Sequence, residues 1–163
     1  LFTYLIIPRH SSENRKYIPI GFMMPDVIAS DSCSIVCGAN LYHFGILTSN
    51  VHMAWMRVVC GRIKSDYRYS GNIVYNNFPW CNPTDKQKAT IEKTAQGILD
   101  ARALYPDCSL ADLYDETTMP PELRKAHQLN DLAVMQAYGF DRTITESECV
   151  AALMRMYQAL TEQ

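Results

Sequence analysis

The chain has 163 residues, 48% of them hydrophobic and 20% charged, about one domain's length, and these values exclude a disordered or fibrous protein. Its formal net charge of −2 excludes a uniformly basic nucleic-acid binder. That total conceals two halves: residues 1–84 carry seven Lys/Arg and four acids, net +3, whereas residues 85–163 carry eight bases and thirteen acids, net −5.

The first half reads as strands. Runs rich in β-branched and aromatic residues recur at 2–7, 17–23, 34–36, 41–47 and 72–75, bounded by Pro8, Pro19, Pro25, Gly38 and Gly71. One helix interrupts them over 50–60, with Ser49 as its N-cap and a stripe of Val51, Trp55, Val58 and Val59. From residue 84 the pattern turns helical. Thr84 and Gln87 form a capping box, and Ile91, Ala95, Ile98 and Leu99 keep helical period to about Tyr105. A short helix follows over 109–114. Pro120-Pro121 opens another that runs to Tyr138, with Gly139 stopping it. Thr145 and Glu148 cap the last, whose stripe is Cys149, Leu153, Tyr157 and Leu160. The expected fold is α+β: a β-rich portion with one interrupting helix over 1–80, then an all-α helical domain over 81–163.

Several chemistries are excluded. The nearest glycines, Gly38 and Gly45, are seven apart, so no G-x-G loop exists to approach a dinucleotide or S-adenosylmethionine. No P-loop, G-x-S-x-G elbow or H-E-x-x-H helix occurs. The six cysteines lack the paired spacing of a zinc site and read as free thiols of a reducing cytoplasm. No apolar run approaches the roughly 20 residues that span a bilayer. No signal peptide is visible, and a start at Leu1 on an apparent strand reads as a piece of a longer protein. Asn77-Phe78-Pro79-Trp80 comes near the loop with which amino-methyltransferases hold a flipped base, but without a cofactor loop it reads as an aromatic hinge.

The most informative stretch is Arg57–Arg68, where Arg57, Arg62, Lys64, Asp66 and Arg68 interleave with Tyr67. If 62–69 runs extended, Arg62, Lys64, Asp66 and Arg68 share one face, with Lys64 and Asp66 about 7 Å apart at roughly 3.3 Å per residue. A lysine donates to guanine O6/N7 and an aspartate accepts from cytosine N4, so the pair matches one G·C base pair. Arg62 and Arg68 then suit phosphates or a second guanine. A solvated strand face with a Lys–Asp pair explains the same residues, and spacing alone leaves both readings open. His52 and Trp55 read as packing residues, and His43 and His127 as structural. His10 sits with Arg9, Arg15 and Lys16 on what reads as one phosphate-facing surface.

Longer runs carry a resemblance. Residues 15–22 (RKYIPIGF), 41–47 (LYHFGIL), 52–57 (HMAWMR), 67–70 (YRYS) and 74–80 (VYNNFPW), with 109–115 (SLADLYD) and 137–140 (AYGF), are similar to MmeI-like type IIL restriction–modification enzymes and related class I adenine-specific DNA methyltransferases. The resemblance implies that residues 1–80 belong to a DNA target recognition domain and the rest to a helical C-terminal domain. It implies base reading by Lys64 and Asp66, and by Arg68 working with the region Asp31, Ser32, Cys33; by their charge and position, Arg62, Arg57, Arg15, Lys16 and Arg9 read as contacting or supporting the DNA backbone. It also implies no catalysis by this chain alone, double-stranded DNA and the parent's methyltransferase domain as partners, and S-adenosylmethionine held by the parent's N-terminal portion. Two positions depart from the family pattern: Cys81 and Cys37 stand where proline is common. A competing expectation is a scaffold module that docks on the parent through its acidic helices.

Overall fold

The computed structural model describes residues 3–162; Phe2, the first residue of the expected strand 2–7, lies outside them. β1 (Tyr4–Pro8) is the centre of a three-stranded antiparallel sheet, flanked by β3 (Gly21–Met23) and β4 (Cys33–Cys37). Its alternation works as a half-buried strand requires: Leu5 and Ile7 are fully buried while Tyr4 and Ile6 are not. The chain then changes sheets. β2 (His10–Ser11) pairs with β6 (Asp66–Arg68), which pairs with β5 (Gly61–Ile63) in a second antiparallel sheet.

Three expected strands of the first half take other forms. Residues 41–47 are a helix, α1 (Leu41–Leu47), because Asn40 caps it: its side chain accepts from the amides of Tyr42 and His43, and the His43 ring accepts from the Asn40 amide. Capping and burial of Phe44, Ile46 and Leu47 outweigh the weak strand preference of the run. Of 17–23, only Gly21–Met23 pairs, since a three-residue turn about Pro19, closed from the Ile20 amide to the Ile18 carbonyl, bends the chain away. Residues 71–75 form a π-helical turn closed from the Asn76 amide to the Gly71 carbonyl. The first half therefore holds two α-helices, not one.

α2 (Asn50–Val59) starts at Ser49 as expected, but it is buried nearly all round, including His52, Met53 and Met56. Val58, expected on its buried stripe, is exposed. In the second half α3 (Asp85–Ala103), α4 (Leu110–Leu113), α5 (Pro121–Tyr138) and α6 (Glu146–Thr161) begin at the capping residues Thr84, Ser109, Pro120 and Thr145. Gly139 ends α5 at φ +71°, the left-handed region open to glycine. Leu160, expected on the apolar stripe of α6, is exposed.

The two halves share a core. Phe44, Ile46 and Trp55 of the first belong to one buried cluster with Ile91, Ala95, Val134 and Leu153 of the second. α1 lies against α3 at Gly45, where an added Cβ would stand 2.6 Å from the Ile91 methyl. Buried Asn130 completes the seam, donating to the Gly45 carbonyl at 2.8 Å and accepting from the Thr94 hydroxyl at 3.0 Å. The aromatic rings of Trp55, Phe78 and Tyr138 pack beside it, and the Tyr138 hydroxyl donates to the Pro79 carbonyl. The acidic second half thus packs on the first half mainly through α1 and α2. No helix among the described residues is long and apolar enough to cross a membrane.

Candidate nucleic-acid interface

The stretch 62–69 is a hairpin rather than one extended strand. β5 and β6 are joined by Lys64-Ser65, with Ile63 opposite Asp66, Arg62 opposite Tyr67 and Gly61 opposite Arg68. Directly opposed residues share a face and neighbours along a strand do not. Asp66 and Arg68 therefore lie on one face, together with His10 from β2. Arg62 falls on the other, where its guanidinium sits 4.2 Å over the Tyr67 ring and donates to the Ser65 carbonyl at 2.8 Å. The expectation that Arg62 shares a face with Asp66 and Arg68 is corrected by the turn, which reverses the chain after Ile63. Lys64 occupies the turn itself at φ +56°, the sole non-glycine residue with positive φ among those described. A lysine there is strained by roughly 1–2 kcal/mol, and it projects from the hairpin tip.

The exposed face runs into an open groove of about 610 Å³, whose lining includes Arg9, Cys33, Ile35, Arg68, Asn72 and Ile73. Arg9 explains why these distant segments meet. Its amide donates to the Ser32 carbonyl, extending the β1–β4 ladder, and its carbonyl accepts from the Tyr69 amide at 2.7 Å, extending the β2–β6 ladder. One residue thus hinges both sheets, with its own side chain exposed beside Arg68. Gly61, across from Arg68, leaves the space above that arginine open. Behind the face, His52 and Tyr69 are buried and hydrogen-bonded at 2.9 Å. Burial drives the His52 imidazole down to about 3, so it supports β6 as a neutral ring.

The other sequence-predicted residues divide. Cys33 lines the groove with Arg68, while Asp31 and Ser32 are exposed on the loop entering β4. Asp66 receives the Glu13 amide on one carboxylate oxygen, at 3.2 Å. Arg57 is turned to the helical half: it donates to Glu146 at 3.0 Å and to the Lys16 carbonyl at 2.8 Å. Lys16 lies over its neighbour Tyr17, and Arg15 lies close enough to Asp115 to help hold that carboxyl low, after the larger effect of Thr117. These three cations belong to the junction with the helices, so His10 shares its surface with Arg9 and Arg68 rather than with Arg15 and Lys16.

Sequence reasoning missed the groove's far wall. The π-helical turn is pinned by three successive carbonyls: Asn77 donates to those of Asn72 and Ile73 at 3.2 and 3.1 Å, and the Trp55 indole donates to that of Val74 at 3.0 Å. Its signal was Gly71-Asn72 followed by Asn77. The Asn77 side chain is thereby committed to the backbone, and Phe78 is buried in edge contact with His52. That segment is an aromatic clasp.

The residues do not fit a cofactor cradle. Gly45 is consumed in helix packing and Gly38 is a left-handed turn ahead of α1, so neither offers backbone to S-adenosylmethionine. Among the described residues no group of His, Cys, Asp or Glu is placed to hold a metal.

Comparison with known proteins gives the family of the chain. Residues 2–82 match the MmeI target recognition domain family and residues 83–163 the MmeI C-terminal domain family. A DNA methyltransferase A of Bacillus subtilis (strain 168) is 40% identical over 159 residues, covering 98% of this chain and 18% of that protein. The solved structure of the type IIL restriction–modification enzyme MmeI in complex with DNA superposes with a TM-score of 0.95 at 50% identity, over 99% of this chain and 22% of MmeI. The chain thus spans about a fifth of the length of these relatives. With family matches running from residue 2 to residue 163, the chain belongs to the MmeI family, as its target recognition and C-terminal domains.

Proposed function

We propose that this chain is the sequence-reading part of a larger S-adenosylmethionine-dependent, adenine-specific DNA methyltransferase of the restriction–modification type, working in the cytoplasm and not catalytic alone. The observation that carries it is the exposed hairpin face in which Asp66, Arg68 and His10 stand beside the Arg9 groove. Such a two-stranded ribbon is of a size that enters the major groove. Lys64 at the tip donates to guanine. Asp66, with one oxygen held by the Glu13 amide, keeps the other for cytosine N4–H. Arg68 and Cys33, on one groove, serve a second base position, while Arg9 contacts phosphate. The parent's methyltransferase domain supplies the cofactor and the reacting loop. Residues 81–163 form the helical domain that holds the reader in place.

Selection of random duplexes by the 163-residue chain at low salt tests this. The wild type should enrich a motif containing a G·C pair, and Lys64→Ala with Asp66→Ala should change that position. An unchanged motif in the double variant sinks the assignment of these two residues, and no motif with the wild type sinks the function.

A further inference from the structure

The groove's far wall carries chemistry that the hairpin lacks. Arg9, Arg68 and Lys64 only donate hydrogen bonds, and the Asp66 carboxylate only accepts them. Asn72 is the groove side chain that offers a donor and an acceptor on separate atoms. Its residue is exposed, and among the described residues its side-chain amide makes no hydrogen bond, although its backbone carbonyl is taken by Asn77. Beside it stand Ile73 and, across the groove, Ile35, each about half exposed at 51% and 52%. An exposed asparagine on an idle loop has no need of a scaffold. This one sits on a turn held by three side-chain donations to consecutive carbonyls, from Asn77, Asn77 and Trp55. Such a supporting shell keeps a reading group within the narrow geometric tolerance that recognition demands.

Resting on the recognition function proposed above, we propose that Asn72 reads an adenine in the major groove, with Ile73 and Ile35 receiving the methyl of its paired thymine. An asparagine amide bonds adenine bidentately, accepting from N6 and donating to N7, and apolar side chains pack on the thymine C5 methyl. The wall therefore selects an A·T pair in a fixed orientation, next to the base pair contacted by Arg68 across the same groove. Asn77 is a positioning residue for this contact, which is the use the structure makes of the Asn77–Trp80 segment.

The same duplex selection, followed by base-analogue substitution, tests this. The wild-type motif should contain an A·T pair beside the position governed by Arg68. Replacing that adenine with 7-deazaadenine, which removes the N7 acceptor and so one of the two bonds, should weaken wild-type binding by about fivefold and should not weaken Asn72→Ala further. Replacing the thymine with deoxyuridine should cause a smaller loss that Ile73→Ala abolishes. Asn72→Ala should keep its melting temperature and every other position of the motif, because the side chain is exposed and unbonded. A wild-type motif that Asn72→Ala leaves intact, or equal 7-deazaadenine losses in both proteins, overturns the Asn72 role while leaving the recognition function standing. A wild type that enriches nothing overturns both.

Discussion

The Tyr17 hydroxyl donates to the Asp131 carboxylate at 2.6 Å, joining residues 114 apart from the strand region and α5. The second oxygen of Asp131 accepts from the Asn50 amide at 2.8 Å, at the start of α2. One buried carboxylate therefore fastens two segments of the recognition half to the helical half. Burial raises its pKa to about 6 despite both hydrogen bonds, which favour the ionised form.

That shift has a direction in stability. The folded protein binds the Asp131 proton more tightly than the unfolded chain, so this group's contribution is full below about pH 4 and is lost as pH rises through about 6. The loss is on the order of 2–3 kcal/mol. Asp131→Asn should remove this dependence. Urea unfolding of both proteins from pH 4 to pH 7 should show the wild type declining relative to the variant. Asp131→Ala, which leaves the Asn50 amide and the Tyr17 hydroxyl without partners, should cost about 2–4 kcal/mol at neutral pH.

The seam at Gly45 predicts a coupled pair. Gly45→Ala places a methyl 2.6 Å from Ile91 Cγ2 and 3.1 Å from Asn130 Oδ1. It should destabilise by about 1–3 kcal/mol, the range for overpacking, although alanine is the better helix former. Ile91→Ala in the same chain should cost less than in the wild type, because it vacates the contested space. Additive unfolding energies for the pair would contradict this close approach.

The division of the cations predicts opposite behaviour toward salt. Arg9→Ala should weaken DNA binding across sequences and lower the slope of log affinity against log salt by about 1, whereas Arg68→Ala should relax preference at the base position it reads. Arg57→Ala should leave that slope alone and lower stability modestly, since it loses Glu146 and the Lys16 carbonyl. Fluorescence anisotropy across a salt series separates the two groups.

Lys64 should show a trade-off. With φ at +56°, Lys64→Gly relieves the turn and should raise stability by about 1 kcal/mol. The same change removes the tip ammonium and should flatten base preference at the position it reads. A variant both more stable and equally selective would show that the tip plays no part in reading.

Local chemistry was legible from the sequence wherever a signal is local. Ser49, Thr84, Thr145 and Gly139 bound their helices because a cap is decided by a side chain and backbone groups a few residues away. The family runs likewise announced a target recognition domain followed by a helical one, and the family matches over residues 2–82 and 83–163 have that order. Asn40 and His43 carried the same kind of local signal for α1, but the β-branched and aromatic run after them read as a strand.

What the tertiary structure decided was which side chains share a surface. A two-residue turn at Lys64 sends Arg62 to the face of Tyr67 and leaves Asp66 with Arg68, because strand faces alternate and a reversal resets the phase. Arg57 looks like its neighbours in sequence, yet Glu146 and the Lys16 carbonyl claim it. Arg9, Cys33, Arg68 and Asn72 meet on one groove only because Arg9 belongs to the ladders of both sheets. Composition and caps are properties of short segments, so they are written in the chain; a recognition surface is a property of pairing between distant segments, so it exists only once they fold.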